Sequence, residues 1–433
     1  MQSPADELNS ALEGTIVSRL LSPLGRRFYF PRGIIAQSAE AKTSAKLANG
    51  TIGMAFKGGR PLILSAIADA LPGLSPEESV VYAPTAGIGK VRAVWKDLIT
   101  RKNPSADPAK ISLPVVVPGL TAGLSYTADM FFDQGDVLIT SDPCWDNYDL
   151  IFNTRRGCEV REVPFFGKGE GLNLDFIREA VQEEAKTGAV RILLNFPNNP
   201  SGYSPTKEEE DALVKILRDA AEGGADVLVI CDDAYFGLFY EDDVGKESPF
   251  VRFAAIHDRI LAIKIDGPIK EDYLWGMRLG FVTYACRGLD GTHQEALIRK
   301  LMGAIRSSVS CSNTPAQNLM LRVMDDPRTP GEKNQFLNLM KGRYRRVKAF
   351  IRNNPDHPVL KPLPFNSGYF MCFRCEGLSA ETLRRELLSK EGIGTISLED
   401  RYLRVAFAGI DEDKLDQVYR IIYDTAAKMA ADR

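Results

Sequence analysis

The chain has 433 residues, of which 44% are hydrophobic and 26% are charged, and these proportions exclude disordered and fibrous proteins. Its 54 basic and 57 acidic residues give a net charge of -3 without a basic run, which argues against a nucleic-acid partner. Seven scattered cysteines, a polar N-terminus and the lack of an apolar stretch of about 18 residues predict a soluble, cytoplasmic protein with neither a disulfide framework nor a membrane span.

Short apolar runs alternate with amphipathic segments through the middle of the chain. The runs are rich in β-branched residues and apolar on both faces, which is typical of buried strands in a mostly parallel α/β sheet. Thr206 followed by Glu209 has the spacing of a helical capping box. The predicted strands are 112–118, 136–140, 191–196, 226–231 and 259–265, and the predicted helices are 174–186 and 206–222. This alternation predicts βαβ units.

The pattern changes near the end of the chain to long charged helices and a strand pair. The clearest of these elements are a helix at 331–353 and strands at 368–373 and 402–407. We therefore predict a large α/β domain over residues 60–315. Residues 1–59 and 316–433 are expected to form a smaller α+β domain, closely packed on the first because no long flexible linker separates them.

A carboxylate ends one of the predicted strands. Asp232 follows V-L-V-I-C, and the carboxyl ends of such strands are where α/β sheets place their ligand sites. A buried anion there requires a cationic partner, although an isolated aspartate at a strand end is more often a cap or turn residue. Asp233 is the alternative, and it points to the opposite face of the strand.

Two further segments carry polar side chains directly after predicted strands. Asn199 lies in N-F-P-N-N-P-S-G, which by itself indicates a loop. Lys270 lies in G-P-I-K-E-D-Y-L-W-G-M-R-L-G, eight residues before Arg278. A lone lysine after a strand is ordinarily a solvated surface residue. Lys264, inside L-A-I-K-I, is the competing lysine.

In this order the motifs resemble those of the class I and II aminotransferases, the family that includes aspartate aminotransferase, over nearly the whole chain. The resemblance implies a large domain with a mostly parallel seven-stranded sheet flanked by helices, a smaller α+β domain, and pyridoxal 5'-phosphate as cofactor. It implies that Lys270 holds this cofactor as a Schiff base. The family places an arginine eight residues after that lysine, where Arg278 stands, and Lys264 has no such arginine.

The resemblance assigns roles around the cofactor ring. Asp232 is expected to keep the pyridine nitrogen protonated, and Trp145 to stack on the ring. Tyr235 and Asn199 are expected to contact the ring oxygen. Asn199 is favoured over Asn198 because it is the asparagine that directly precedes proline, as in the family motif.

The resemblance also implies a phosphate site and a homodimer. At the turn P-G-L-T-A-G into a helix, Leu120 would contribute its amide and Thr121 its hydroxyl. Arg278 would pair bidentately with the phosphate. The family usually has serine or threonine three residues before the lysine, whereas this chain has Gly267, so backbone amides are expected to complete the site. Tyr82 corresponds to the tyrosine that crosses the dimer interface to the neighbouring subunit's phosphate.

The substrate site is expected at Arg404, in Y-L-R-V-A-F-A-G, with Asn199 beside it. The corresponding arginine of the family binds the substrate α-carboxylate, and a structural salt bridge is the alternative for a charge on a half-buried strand. Relatives specific for dicarboxylates carry an arginine four residues before S-N-P-P. Here the segment is S-N-T-P and that position is Ser308, with Arg306 two residues away, which weakens the expectation of aspartate as substrate.

The leading hypothesis is an aminotransferase that moves an amino group between an amino acid and a 2-oxo acid by a ping-pong mechanism. A β- or γ-lyase acting on C–S or similar bonds shares the fold and most of these residues. A non-catalytic regulator that binds the cofactor is disfavoured, because the segment before Thr51 is too short for a winged helix and lacks a basic recognition helix. No metal site is expected, because Cys372 and Cys375 have no second pair and the three histidines lie far apart.

Overall fold

The protein is described here by a computed structural model that covers residues 4–30, 33–167 and 171–432. The strands are β1 (Ala48–Asn49), β2 (Phe56–Lys57), β3 (Arg60–Pro61), β4 (Val115–Val117), β5 (Val137–Asp142), β6 (Glu159–Pro164), β7 (Ala189–Asn195), β8 (Asp226–Asp232), β9 (Ile260–Asp266), β10 (Gly280–Ala285), β11 (Leu360–Pro362), β12 (Met371–Cys375), β13 (Ile393–Gly394), β14 (Ile396–Leu398) and β15 (Tyr402–Val405).

Helices cover both faces of the main sheet and make up most of the two ends of the chain. They are α1 (Pro4–Ala11), α2 (Ile16–Leu20), α3 (Pro23–Arg27), α4 (Ile34–Ser44), α5 (Ser65–Ala70), α6 (Pro76–Ser79), α7 (Gly89–Lys102), α8 (Leu120–Phe131), α9 (Leu174–Ala185), α10 (Lys207–Glu222), α11 (Pro249–Ile256), α12 (Gly291–Arg306), α13 (Thr314–Asp325), α14 (Thr329–Asn353), α15 (Ala380–Glu391) and α16 (Leu415–Ala431).

The main sheet has seven strands in the order β4-β10-β9-β8-β7-β5-β6. Strands β6, β5, β7, β8 and β9 pair in parallel, and β10 is antiparallel to both β9 and β4. The predicted fold, a mostly parallel seven-stranded sheet flanked by helices, is therefore confirmed. The carboxyl ends of β7, β8 and β9 lie side by side at one edge of this sheet.

The centre of the sheet is buried on both faces because successive residues of each strand pack into different cores. In β8, Val227 and Val229 pack with α9 and α10, whereas Leu228 and Ile230 pack on the other face with α8 and α12. This explains why the run reads as continuously apolar. By the same alternation Asp232, the last residue of β8, points to the face that carries α8.

Most predicted elements exist, with shifted ends. The capping box predicted for α10 is present, with Thr206 as the N-cap residue and the Glu209 side chain on the Thr206 amide. Helix α14 begins two residues earlier than predicted, because Pro330 in its first turn needs no hydrogen-bond partner for its nitrogen. Strand β12 starts only at Met371, after Gly368 adopts a φ of +70° that a strand cannot continue.

A second, antiparallel sheet has the order β11-β12-β15-β14 and is packed against α14, α15 and α16. The N-terminal segment joins this part of the molecule: β1 pairs with β13, and the Gln37 side chain exchanges two hydrogen bonds with the backbone of Ser397. The smaller unit expected from residues 1–59 and 316–433 stays a prediction.

All seven cysteines lie within the described ranges as free thiols. In the same ranges, the helices are either too short or too polar to cross a membrane.

Candidate functional site

A cavity of about 280 Å³ opens at the carboxyl ends of β7 and β8, beside the N-terminus of α8. It brings together residues that lie far apart in the chain. The predicted site residues that line it are Leu120, Thr121, Trp145, Asn199, Asp232, Tyr235, Lys270, Arg278 and Arg404. The other lining residues are Ile34, Ile35, Gly53, Leu124, Tyr148, Asn195, Ala234, Ile269 and Phe370.

Asp232 is buried at the floor of this cavity. The hydroxyl of Tyr148 donates to its Oδ2 at 2.7 Å, and the amide of Ala234 lies 3.3 Å from its Oδ1. Burial raises the pKa of the Asp232 carboxyl to about 6, although the Tyr148 hydrogen bond acts in the opposite direction. Within the described part of the chain it forms no salt bridge. The carboxylate therefore lacks the direct ion pair that a buried anion ordinarily has, and the charge of Lys270 acts on it only from beyond ion-pair distance.

Asn195, the last residue of β7, fixes the loop that follows it. Its Nδ2 donates to the backbone carbonyl of Asp232 at 2.8 Å, and its Oδ1 accepts from the backbone amide of Asn199 at 2.8 Å. Asn198 turns away from the cavity, and its Oδ1 accepts from the amide of Ser201 at 3.1 Å. The Asn199 side chain is thereby held at the cavity wall in a fixed relation to Asp232.

The Lys270 amine points into the cavity. Its Nζ donates to the carbonyl of Gly53 at 2.7 Å and lies 4.9 Å from the centroid of the Tyr235 ring. Burial, together with the positive charges of Arg404 and Arg278, lowers the pKa of Lys270 to about 7. A large fraction of this amine is therefore uncharged near neutral pH, as a nucleophilic lysine requires.

Lys264, the competing lysine, lies on the other face of the sheet. It is fully buried, forms an ion pair with Asp233, and has its Nζ 3.4 Å from Asp266 Oδ2. Although burial acts in the opposite direction, these two carboxylates raise the pKa of Lys264 above its ordinary value. Lys264 is thus a charged, fully engaged side chain, and it does not line the cavity.

Arg404 is 2% exposed and reaches the cavity from β15. Its guanidinium donates to Asn199 Oδ1 at 2.8 Å and to the carbonyl of Thr51 at 2.9 Å, and lies 4.4 Å from the centroid of the Phe370 ring. Its Nε is buried without a partner. Among the residues the structure describes, no carboxylate lies within ion-pair distance, so the salt bridge considered as an alternative is not found. A buried guanidinium in this state favours an anionic ligand.

The amino end of α8 and Arg278 lie next to each other. The turn before α8 contains Gly119, with φ +91°, and a Cβ on this residue would lie 2.6 Å from Arg278 Nη2. Gly119 is the N-cap residue of α8 and has no side chain to accept hydrogen bonds. The amides of Leu120 and Thr121, at the start of the helix, are therefore not capped by a side chain of that residue. A helix N-terminus beside a guanidinium is suited to an anion such as phosphate.

Gly267 stands where the family usually has serine or threonine. A Cβ at this position would lie 2.6 Å from the carbonyl oxygen of Leu279 and 3.1 Å from the Cα of Gly280. Both are backbone atoms, one in Leu279 and one in the first residue of β10, and they cannot move aside as a flexible side chain could. The chain therefore has no room for a side chain here.

Sequence reasoning missed several cavity residues. Tyr148 follows Trp145 by three residues, and the two rings meet edge to face at 5.5 Å. That spacing was the available signal, because residues three apart share one face of a helical turn. Asn195 ends a strand, as Asp232 does. Ile34 and Ile35 gave no signal, because only the tertiary fold brings α4 to the cavity.

Three further residues named in the sequence analysis, Tyr82, Ser308 and Arg306, also lie outside the cavity. Tyr82 is 90% exposed, so within a single chain it does not reach the site. Ser308 shares a hydrogen bond of 2.9 Å with the hydroxyl of Tyr126. Arg306, at the end of α12, donates to the Ser310 hydroxyl at 3.1 Å.

Comparisons with known proteins agree on one family. The family model for aminotransferase class I and II matches residues 54–422. A probable aspartate/prephenate aminotransferase of Aquifex aeolicus is 27% identical over 359 residues, which are 80% of this chain and 83% of that protein. The solved structure of an aminotransferase from Anaerococcus prevotii is similar with a TM-score of 0.82 and 23% identity, over 92% of this chain and 97% of that one. For a kynurenine aminotransferase of Pyrococcus horikoshii the TM-score is 0.79 at 17% identity, over 96% and 98%.

Proposed function

The chain belongs to the class I and II aminotransferases, and we propose that it moves an amino group between an amino acid and a 2-oxo acid with pyridoxal 5'-phosphate as cofactor. The observation that carries this proposal is the set of residues that line one cavity. It combines a lysine amine of lowered pKa, a buried carboxylate without a cation and a buried guanidinium without an anion. These three groups fit a cofactor with a protonated ring nitrogen together with a substrate that carries a carboxylate.

Pyridoxal phosphate, when bound, supplies an aldehyde that captures amines and a protonated ring that withdraws electrons from the substrate's α-carbon. Lys270 is the residue proposed to hold it, as a Schiff base. Asp232 is proposed to keep the proton on the ring nitrogen, because the low dielectric around this carboxylate strengthens its pairing with a cation. Tyr148 and Asn195 hold Asp232 in place.

The remaining cofactor contacts follow from the positions of the other side chains. Trp145, half-buried at the cavity wall, is proposed to stack on the ring, and Tyr235 and Asn199 to donate to the ring oxygen. Hydrogen bonds from Arg278 and from the first turn of α8, Leu120 and Thr121, are proposed to hold the phosphate. Leu120 and Thr121 line the cavity together with this arginine.

Tyr82 is proposed to complete the phosphate site of a second copy of the chain in a homodimer. It is exposed together with its neighbours Val80 and Val81, which forms an apolar strip that a monomer would leave in water.

The substrate is proposed to be held by its carboxylate and deprotonated by Lys270. Arg404 has unused donors and can form two parallel hydrogen bonds to an α-carboxylate, while Asn199 fixes the guanidinium plane. Once the amino group of the substrate has replaced it on the cofactor, the Lys270 amine, in large part uncharged near neutral pH, is the group proposed to remove the proton from the α-carbon and to return it.

The test is turnover by the purified holoenzyme with pairs of amino acids and 2-oxo acids. We expect equal amounts of new amino acid and new 2-oxo acid, no ammonia, and parallel double-reciprocal plots, which indicate ping-pong kinetics. Release of ammonia with pyruvate from a cysteine-type substrate, without amino transfer, would instead identify the lyase. Binding of the cofactor without any turnover would identify the regulator.

A further inference from the structure

We infer that Lys333, on α14, is a positioning residue that holds Lys270 in place relative to the phosphate site. It acts through the two carboxylates that directly follow Lys270 in the chain, Glu271 and Asp272. The inference rests on the proposed function, because it concerns how the lysine proposed to carry the cofactor is kept in place.

The segment that carries Lys270 has little regular structure of its own. Residues 267–279 connect β9 to β10, and their regular structure is the short 3-10 turn Trp275–Met277. Lys270 and Arg278, which are proposed to hold the two ends of the cofactor, both lie in this segment. Contacts with the rest of the molecule must therefore set the position of the lysine amine relative to the phosphate site.

The backbone of this segment has a conformation that it would not favour by itself. Tyr273 has φ +60° and Arg278 has φ +50°, in the left-handed region that is unfavourable for residues with a Cβ. The Tyr273 ring is buried and meets the Phe336 ring of α14 edge to face at 5.0 Å. Such a backbone conformation persists only where surrounding contacts fix it, and α14 provides one of these contacts.

Lys333 provides a second contact between α14 and the segment. Its Nζ lies 2.6 Å from Asp272 Oδ1 and 3.2 Å from Glu271 Oε1, so one ammonium group bridges two consecutive carboxylates. Asp272 is 5% exposed, and within the described part of the chain Lys333 is the cation at ion-pair distance from it. Separating this pair would leave a buried charge without a partner, so the pair strongly resists movement of the segment.

The other side of the segment is held by α7 and by the loop after β8. The Lys102 ammonium pairs with Glu271 Oε2, and a Cβ on Gly237, which has φ +94°, would lie 2.9 Å from Glu271 Cδ. The Tyr369 hydroxyl donates to the Lys270 carbonyl at 2.8 Å. Glu271 is thus confined between two lysines, and the backbone of the residue before it is anchored separately.

The ion-pair network acts on Lys270 through position rather than through charge. Its two lysines and two carboxylates neutralise each other. Burial is the main cause of the lowered pKa of Lys270, and the charges that modify this pKa are those of Arg404, Arg278 and Asp232. We therefore expect loss of Lys333 to change how well the amine is placed.

Pyridoxal phosphate and pyridoxamine phosphate are matched probes of this placement. Both carry the ring and the phosphate, but only the first has the aldehyde that condenses with the Lys270 amine, with loss of water. Displacement of bound pyridoxal phosphate by pyridoxamine phosphate, followed by the loss of Schiff-base absorbance, gives the ratio of their Kd values. In Lys333→Met we expect the preference for pyridoxal phosphate to fall about tenfold. Lys333→Arg, which keeps a cation beside the two carboxylates, should restore the wild-type ratio.

Two further variants control this test. Arg346 lies on the same helix and pairs with Asp416 at the surface, at 2.9 Å, so Arg346→Met should leave the ratio unchanged. If Lys333→Met does not fold, Lys333→Met with Asp272→Asn takes its place, because it removes the uncompensated carboxylate together with its cation. The same fall in the ratio is expected for this double variant.

The inference and the proposed function fail in different ways. If the wild type prefers pyridoxal phosphate and the folded Lys333 variant keeps the same ratio, or if Arg346→Met lowers the ratio equally, the inference is wrong and the proposed function stands. A wild-type protein with neither a Schiff-base absorbance nor a preference for pyridoxal phosphate would contradict the proposed function, and the inference with it.

Discussion

Charge pairing at single residues gives the physical basis of the account. Lys264 and Asp233 neutralise each other in the core, as buried charges ordinarily do. Asp232 and Arg404 are equally buried but are not paired within the described chain, and both line the cavity. Leaving two such charges unpaired is costly, and ligands of opposite charge would remove that cost. The site is therefore complementary to what it is proposed to bind.

The two cavity arginines are predicted to differ in what they hold. Arg404→Lys should weaken amino-acid binding far more than cofactor binding, because a lysine cannot form the two parallel hydrogen bonds of a guanidinium. Arg278→Lys should mainly weaken cofactor retention, because its proposed partner is the phosphate. Spectral titration of the bound cofactor with an amino acid, run beside a cofactor-affinity measurement on the same variants, separates the two effects. If both variants lose cofactor alike and bind substrate normally, this division is wrong.

Site residues could be anticipated from the sequence where a polar side chain lies at the carboxyl end of a buried strand or in the loop after it. Asp232 ends β8, and Asn199 and Lys270 lie in the loops after β7 and β9; all three line the cavity. Tyr148 could not be identified in this way, because its role depends on a hydrogen bond to a residue 84 positions away. The lack of a carboxylate partner for Arg404 was equally hidden, since strand alternation shows only that a side chain is buried.

At the level of elements, strand alternation separates the two neighbouring aspartates of β8. Asp232 points to the face with α8 and the cavity, and Asp233 points to the face with Lys264. The alternation was readable from the sequence. An edge strand is harder to read from the sequence. The residues of β6 are mostly exposed or half-buried, so this strand has no apolar run to detect.

Lys264→Met is predicted to destabilise the protein without removing its capacity to hold the cofactor. The substitution leaves Asp233 buried without its cation, which costs about 3–5 kcal/mol in the free energy of unfolding. Urea unfolding of the cofactor-free protein measures this. Lys264→Met with Asp233→Asn is the control, and it should regain most of the loss because the uncompensated charge is gone. A single variant with unchanged stability that no longer holds cofactor would mean that Lys264 is the cofactor lysine.

At the level of the whole molecule, the cavity depends on segments from both ends of the chain. Ile34 and Ile35 come from the N-terminal segment, which pairs with the C-terminal part through β1 and β13. Arg404 comes from that C-terminal part. The sequence motifs indicated individual site residues such as Arg404, but the contact between the two ends of the chain is set by tertiary packing.

The proposed homodimer gives a prediction about Tyr82. We expect the protein to sediment as a dimer, and Tyr82→Phe to raise the Kd for the cofactor about tenfold, because one hydrogen bond to a charged phosphate is lost. Tyr126→Phe is a control for a tyrosine hydroxyl engaged elsewhere in the same chain. A monomer with unchanged cofactor affinity in Tyr82→Phe would contradict the shared site.

The lowered pKa of Lys270 predicts a pH dependence for the cofactor-free protein. Between about pH 7 and the ordinary lysine pKa of 10.5, the unfolded chain binds more protons at this amine than the folded one. Stability from this group therefore rises with pH across that window, by at most about 1.4 kcal/mol per pH unit.

Lys270→Met should remove this rise and stabilise the cofactor-free protein near neutral pH, where the wild type carries the cost of the buried charge. Urea unfolding at about pH 7 and about pH 9 measures both effects. Lys300→Met, at an exposed lysine of α12, should leave the pH dependence as it is. An unchanged slope in Lys270→Met would show that the pKa of this amine is not lowered.

The central claim is that Lys270 holds pyridoxal phosphate. Borohydride reduction of the holoenzyme fixes the cofactor onto the lysine that carries it, and peptide mapping by mass spectrometry then identifies that residue. We predict a single modified peptide with the cofactor on Lys270, and no such modification in Lys270→Ala. Modification of Lys264, or of any other lysine, in the wild-type protein would contradict the account.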